Sequence, residues 1–304
     1  MDETPAVVVV GAACRDLVDE DPRGWRLGGG ASFSALALAR LGLRVGALVV
    51  ADEDAAGSTE LELVREAGVD VRVVPGRRGP VFINVETPTG RIQHTPQVSD
   101  PVDPAALPAS WRNAMAWMLA PVAAEVRDEW AAVPPDDALV AVGWQGLLRV
   151  LTAGGPVRHL APSPSEVVRR ADFVGVGSDD VDSSTTPDQL ATYMHPGATL
   201  LFTDGVHGGT AYLVGEGRAD LTPRHWHSIP TKRYVDPVGA GDTFLAGVFA
   251  AHVDPTRVAA WDGRDPDLRL GAACASLILE GPGVYGVPRW EDAVRRMHGG
   301  DNPD

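Results

Sequence analysis

Gly239, Ala240 and Gly241 run directly into Asp242 and then into an apolar, alanine-rich stretch, within VDPVGAGDTFLAG at residues 235–247. Small residues at the start of a helix leave backbone N–H groups uncovered. Those donors and the helix dipole attract an anion such as a phosphate. Asp242 falls in the first turn of the expected helix. One reading is an N-terminal cap, favourable by about 1 kcal/mol. The other is chemical. A carboxylate beside a phosphate cradle repels the phosphate unless it serves as a general base, taking the proton of a hydroxyl that attacks phosphorus while the amides stabilise the transferring group. Residue types and spacing leave both readings open.

Such a cradle works only if the helix start is held at the edge of a rigid sheet. The chain of 304 residues alternates apolar, often β-branched runs with alanine- and leucine-rich ones. This alternation predicts a parallel sheet covered by helices. Strands are expected at 6–10, 45–50, 71–74, 117–119, 139–142, 173–176, 199–202, 211–214 and 225–229. Helices are expected at 31–41, 58–67, 123–132, 165–171, 187–194, 241–252, 268–279 and 290–297, with Gly42 and Gly68 as stops after the first two. Residues 81–94 break the rhythm: FINVETPTGRIQH alternates around PTG and reads as a hairpin that projects from the main sheet. There is no internal repeat, and DPVDPAALP and VPPDD read as loops. A single domain over 1–300 is expected, with 301–304 as a frayed tail.

Composition narrows the function classes. A hydrophobic share of 44% and a charged share of 22% are ordinary for a globular protein. The net charge of -15 argues against a broad nucleic-acid-binding surface, which needs a basic footprint, yet leaves room for a small phosphate held by backbone amides. No apolar run approaches the roughly 20 residues that cross a bilayer, so no membrane partner is expected. The start MDETPAVVVV is acidic where a secretory signal is basic, and a cytoplasmic protein is expected. Cys14 and Cys274 form no CxxC and read as buried free thiols. GAACRD after the first strand is not GxGxxG, so a dinucleotide-dependent dehydrogenase fits poorly. The eight histidines show no HExxH, and His225 and His227 read as two exposed side chains on one strand face.

DPVGAGDTF resembles the second signature of the ribokinase-like (phosphofructokinase-B type) carbohydrate kinases, DTxGAGD, with Pro237 in place of the usual threonine. LGGGASFSALALARLG at 27–42 resembles the first signature of that family. ADEDAAG at 51–57 resembles its turn after the next strand, and TDGVHGG at 203–209 its TxGxxG nucleotide turn. The likeness covers nearly the whole chain, in order and spacing. It implies an α/β ribokinase-like three-layer sandwich with a mostly parallel central sheet and a small β-sheet lid built from parts of 14–27 and 81–94. It also implies transfer of the γ-phosphate of ATP, with Mg²⁺, to a hydroxyl of a sugar, cyclitol or related polyol.

By that resemblance Asp242 is the general base, and Gly239, Ala240 and Gly241 form the anion hole. Asp16 accepts hydrogen bonds from substrate hydroxyls, and Gly29 and Gly30 let the backbone approach the substrate. Ser34 stands where many relatives carry a sugar-binding asparagine. Thr203, Gly205 and Gly208 line the nucleotide side. Asp180 orients magnesium-bound water, although Gly177 replaces the asparagine of the usual NxxE. Asp236 lies by a monovalent cation, potassium, with the loop 281–286 beside it. WQGLLR at 144–149 resembles a QGxxR-like stretch of an inositol-kinase-like branch, which makes Gln145 and Arg149 substrate-binding candidates beside the alternative of a surface helix start. A homodimer through the lid follows from the same resemblance. The rivals are a nucleoside kinase of the same family, for which Trp25 and Phe33 are the nearest aromatic residues, and a non-catalytic ligand-binding relative.

Overall fold

The computed structural model describes residues 4–87, 90–217 and 220–299. Residues 88–89 of the expected PTG turn and the expected tail lie outside them.

Along the chain the strands and helices are β1 (Val7–Ala12), β2 (Cys14–Leu17), β3 (Trp25–Gly28), α1 (Gly30–Arg40), β4 (Val45–Val50), α2 (Glu53–Ala56), α3 (Thr59–Glu66) and β5 (Asp70–Val73). The pair β6 (Val81–Thr87) and β7 (Gly90–Gln97) follows, then β8 (Ala116–Ala120), β9 (Leu139–Gly143), β10 (Arg149–Val150), β11 (Gly155–Pro156) and β12 (Arg158–His159). The last part holds α4 (Glu166–Arg170), β13 (Phe173–Gly177), α5 (Pro187–Ala191), β14 (Thr199–Thr203), β15 (Gly209–Val214), β16 (Leu221–Trp226), α6 (Ala240–Val253), α7 (Pro266–Ile278) and α8 (Trp290–Met297).

A nine-stranded sheet runs in the order β16-β15-β14-β13-β9-β8-β1-β4-β5. From β14 to β5 every pairing is parallel, and β15 and β16 add an antiparallel edge. β1, VVVVGA, and β4, VGALVV, are buried throughout, which is why neither shows a polar alternate. Successive residues feed opposite cores. Val7 and Val9 pack with α1, α6 and α7 residues such as Leu36, Phe249 and Leu270. Val8 and Val10 pack on the other face with Trp111, Trp117, Trp130 and Trp144. The three-layer α/β architecture is therefore the one expected.

A second sheet, in the order β11-β7-β6-β2-β3, projects from the first. Its segments 14–28 and 81–97 coincide with the expected lid. Its fifth strand, β11, is not among the expected elements: Gly155 and Pro156 pair with Thr95 and His94 of β7, and a two-residue strand of glycine and proline has no sequence pattern to betray it.

Three expected elements differ. The helix at 123–132 is reduced to a 3-10 turn, Asp128–Ala132. The Glu125 carboxylate takes the amides of Val122 and Ala123, and Ala124 sits at φ 58, so no α-helix propagates from there. The helix at 187–194 stops at Ala191. The strand expected at 225–229 runs instead over Leu221–Trp226, because its partner β15 begins at Gly209, opposite Trp226, and offers nothing further to pair with.

Candidate active site

The strand order reverses about β1: β4 and β5 lie to one side, β8 and β9 to the other. The crevice beyond the C-terminal ends of such strands is where open α/β sheets bind ligands. Into it project the turn after β1 that leads to Asp16, the start of α1, the turn at 121–126 after β8, WQGLLR after β9, 178–180 after β13 and 203–208 after β14. The lid strands β2 and β3 rise from its rim.

The N-terminus of α6 opens onto this crevice. Gly239 holds the helix entry at φ 82, and a side chain there would strike the buried ring of Phe33. No side chain caps the helix. The Ala240 amide donates to the Pro237 carbonyl at 3.2 Å, so the expected anion hole loses that donor. Among the described residues the amides of Gly239, Gly241 and Asp242 meet no protein acceptor, and around Gly241 the space is open. Among the described residues the amides left without a protein acceptor are therefore those of Gly239, Gly241 and Asp242, where 239–241 were expected.

Asp242 is not a helix cap: its carboxylate makes no hydrogen bond among the described residues. It faces α1, where a Cβ on Gly30 would lie 2.8 Å from Oδ1, so the glycine makes room for the acid. One side of Asp242 remains open, but protein encloses the rest. Burial first, and then the nearby Asp180 charge, push its pKa up to about 6 against the opposing pull of Arg149.

Gln145 and Arg149 come together with Asp180. Gln145 Nε2 donates to Asp180 Oδ1 at 2.7 Å, Gly177 N donates to Oδ2 at 3.0 Å, and Arg149 Nη2 lies 3.6 Å from Oδ1. WQGLLR is therefore not a surface helix start. It is a 3-10 turn pinned by the buried Trp144, which swings Arg149 inward until its side chain is only 11% exposed. Burial lowers the Arg149 pKa, while Asp180, Asp242, Cys14 and Asp16 favour its charge, and its Nε has no partner among the described residues. Asp16 is buried on β2 against Gly28 of β3, and its charge reaches both Arg149 and Cys14. Gly29, at φ 97, lies so close to the Ala12 carbonyl that no side chain fits.

Other candidates fall at the margins. Thr203 ends β14, and Gly205 and Gly208, at φ 49 and 90, shape the turn after it. A cavity of about 680 Å³ opens beside that turn, lined by Asp204, His207, Thr210 and Trp226 among others, a size usual for small-molecule sites. Ser34 is 1% exposed inside α1 and does not reach the crevice; its hydroxyl has no partner among the described residues. Asp236 accepts from Val238 N at 2.9 Å and Gly283 N at 3.0 Å, with Arg26 Nη1 3.6 Å away. The loop at 281–286 thus gives Asp236 an amide, that of Gly283, and the Arg26 guanidinium stands nearby. His225 and His227 are exposed as expected, and no group of three or more His, Cys, Asp or Glu able to hold a metal occurs among the described residues.

Sequence reasoning missed two charged residues here. Glu125, 1% exposed, is held by the turn after β8, where burial raises its pKa against the pull of the surrounding amides. A lone acid in the apolar PVAAEV was its only signal. Arg26 stands opposite Asp16 across β2 and β3; WRLGGG showed a strand end but not which face it presents.

The crevice and lid define an α/β protein of the ribokinase fold. Similar solved structures include a pyrophosphate-dependent kinase of the ribokinase family in complex with a pyrophosphate analog and myo-inositol (TM-score 0.71, 17% identity, 94% of this chain and 98% of that one). The Methanocaldococcus jannaschii nucleoside kinase (0.68, 17%, 97% and 99%) and Arabidopsis thaliana ribokinase with ribose and ATP (0.64, 18%, 97% and 99%) are also similar. At these identities the likeness establishes the fold. A search of curated proteins gave no match. The family model "pfkB family carbohydrate kinase" matches residues 172–290, the part that contains the Asp180 turn, the 203–208 turn and α6. The fold is thus the ribokinase fold over nearly the whole chain, and the family model covers residues 172–290 of it. Among the described residues no helix is long and apolar enough to cross a membrane.

Proposed function

We propose that the protein is a phosphotransferase that moves the terminal phosphoryl of ATP to a hydroxyl of a sugar, cyclitol or related polyol. The observation that carries this reading is the Asp242 carboxylate, which makes no hydrogen bond among the described residues, beside the uncapped start of α6. Asp242 accepts the acceptor hydroxyl's proton as the new O–P bond forms and the bond to the leaving diphosphate breaks. The Gly239, Gly241 and Asp242 amides hold the migrating phosphoryl. Asp16 and Arg149 bind acceptor hydroxyls, and the lid excludes water, the competing acceptor. Thr203, Gly205 and Gly208 face the nucleotide, whose sugar and base enter the 680 Å³ cavity.

Magnesium suits Asp180. That carboxylate keeps lone pairs beyond its bonds to Gln145 and Gly177, enough for contact with metal-bound water, while the donor phosphates supply most ligands. Held there through water by Asp180, magnesium would supply positive charge against those phosphates.

The nucleoside-kinase alternative has less support. Phe33 is buried beneath Gly239, and Trp25 has the guanidinium of Arg23 at 4.6 Å and that of Arg15 at 5.5 Å from its ring centre. Neither ring is placed to stack on a base. The deciding experiment measures donor consumption across sugars, inositols and nucleosides, with Mg-ATP and with magnesium pyrophosphate, the second donor because one similar structure is a pyrophosphate-dependent kinase. Turnover with polyols and ATP is expected. Turnover with nucleosides alone overturns the acceptor class, pyrophosphate alone overturns the donor, and no turnover with any pair rejects the kinase.

A further inference from the structure

We propose that Arg26 is a lid-borne phosphate-binding residue, which brings a guanidinium to the donor phosphates at the α6 anion hole when the lid covers the crevice. The inference rests on the kinase reading above and adds a group to it.

Arg26 pairs with Asp16 across the antiparallel β2 and β3, and Asp16 pairs with Phe82 of β6. Paired residues present their side chains on the same sheet face. Arg26 therefore shares the face of Asp16, the acceptor-side acid. It reaches past the lid to Asp236, three residues before Gly239, and that carboxylate fixes the entry to α6 through the Val238 amide. The Arg26 side chain is 26% exposed. Its only charged neighbours among the described residues are Asp236 at 3.6 Å and Asp21 at 3.8 Å, both too far for a hydrogen bond.

The charges around the crevice give that guanidinium a task. Asp16, Asp180, Asp236 and Asp242 supply four carboxylates, whereas Arg149 is deeply buried beside Asp180. A donor with several phosphate charges entering this set meets repulsion unless another cation faces it. An arginine offers five N–H donors in a planar fork that matches two phosphate oxygens. Among the described residues the Arg26 fork makes no hydrogen bond, only the two longer ion contacts, and it is mounted on a lid strand.

The test is calorimetric titration of magnesium pyrophosphate and of Mg-ATP into the wild type, Arg26→Gln and Arg26→Lys, with the unfolding midpoint of each protein measured without ligand. The proposal expects Arg26→Gln to bind the preferred donor about tenfold more weakly or worse, as for the loss of one charged hydrogen-bonding group. Arg26→Lys, which keeps the charge but loses the fork, should fall between, and the ligand-free midpoints should agree within about 2 °C. Binding by Arg26→Gln within about twofold of wild type overturns the assignment and leaves the kinase reading standing. A matching fall in the ligand-free midpoint also overturns it, since the residue then only fastens the lid. A wild type that binds neither donor removes the kinase reading, and Arg26 with it.

Discussion

Asp242 carries two expectations that pull in opposite directions. A base is active only when ionised, so the rate should rise with pH through about 6, where burial and Asp180 have placed its pKa. Arg149 opposes that rise, so Arg149→Gln should move the acid limb of the rate profile to higher pH, and Asp180→Asn should move it lower. Limbs that stay in place in both variants would show that another group sets the profile. For stability the sign is reversed. A carboxyl whose folded pKa lies above its unfolded value of 3.8 binds its proton more tightly when folded. It therefore costs stability progressively between pH 3.8 and about 6, and fully above. Two pKa units correspond to roughly 2–3 kcal/mol at most. Asp242→Asn should consequently melt higher than wild type at pH 8, lose that advantage near pH 4, and lose nearly all turnover. Equal melting at pH 8 would mean that the carboxylate is better solvated than its surroundings imply. Unchanged turnover would reject it as the base.

At the level of elements, the lid is tied to the body by ions. Arg23, in the turn between β2 and β3, makes a two-pronged contact with Glu60 of α3, whose side chain is 2% exposed, and Arg15 of β2 meets Asp52 at 2.7 Å. Burial alone would raise the Glu60 pKa, but its hydrogen bonds with Arg23 outweigh that and lower it. The stability this contributes is present above the ordinary carboxylate range and lost as pH falls through the depressed value. Removing the arginine strands a buried charge, a defect that costs roughly 3–5 kcal/mol where burial is complete. Arg23→Ala should therefore loosen the lid first: amide exchange in β2 and β3 should quicken while β1 and β8 stay protected. Unchanged protection in β2 and β3 would show that this ion pair does not hold the lid. Such contacts explain what the sequence withheld. The buried runs of β1 and β4, the stops after α1 and α3, and the GAGD turn are local signals and could be read directly. The inward swing of Arg149, the β11 strand and the shared face of Asp16 and Arg26 are set by pairings across the fold. The expected helix at 123–132 failed for the same reason, because the competing Glu125–amide contacts form only in the folded turn.

For the whole molecule, the expected lid-to-lid dimer has to overcome electrostatics. Each copy carries a formal charge of -15, so two copies repel. What opposes that repulsion on the lid is apolar: Val85 and Ile92 are paired across β6 and β7 and are 44% and 48% exposed. Apolar contact is insensitive to moderate salt, whereas repulsion between surface charges is screened over about 10 Å at 0.1 M and about 3 Å at 1 M ionic strength. Association through this face should therefore strengthen as salt is added, the reverse of a dimer held by ion pairs. Sedimentation velocity at low and high sodium chloride reads this directly, with a larger dimer fraction expected at the higher concentration. Val85→Glu with Ile92→Glu should leave a monomer at both. A species that stays monomeric in the wild type at every salt and protein concentration would remove the lid dimer, and one that dissociates on adding salt would place the interface on a charged surface elsewhere.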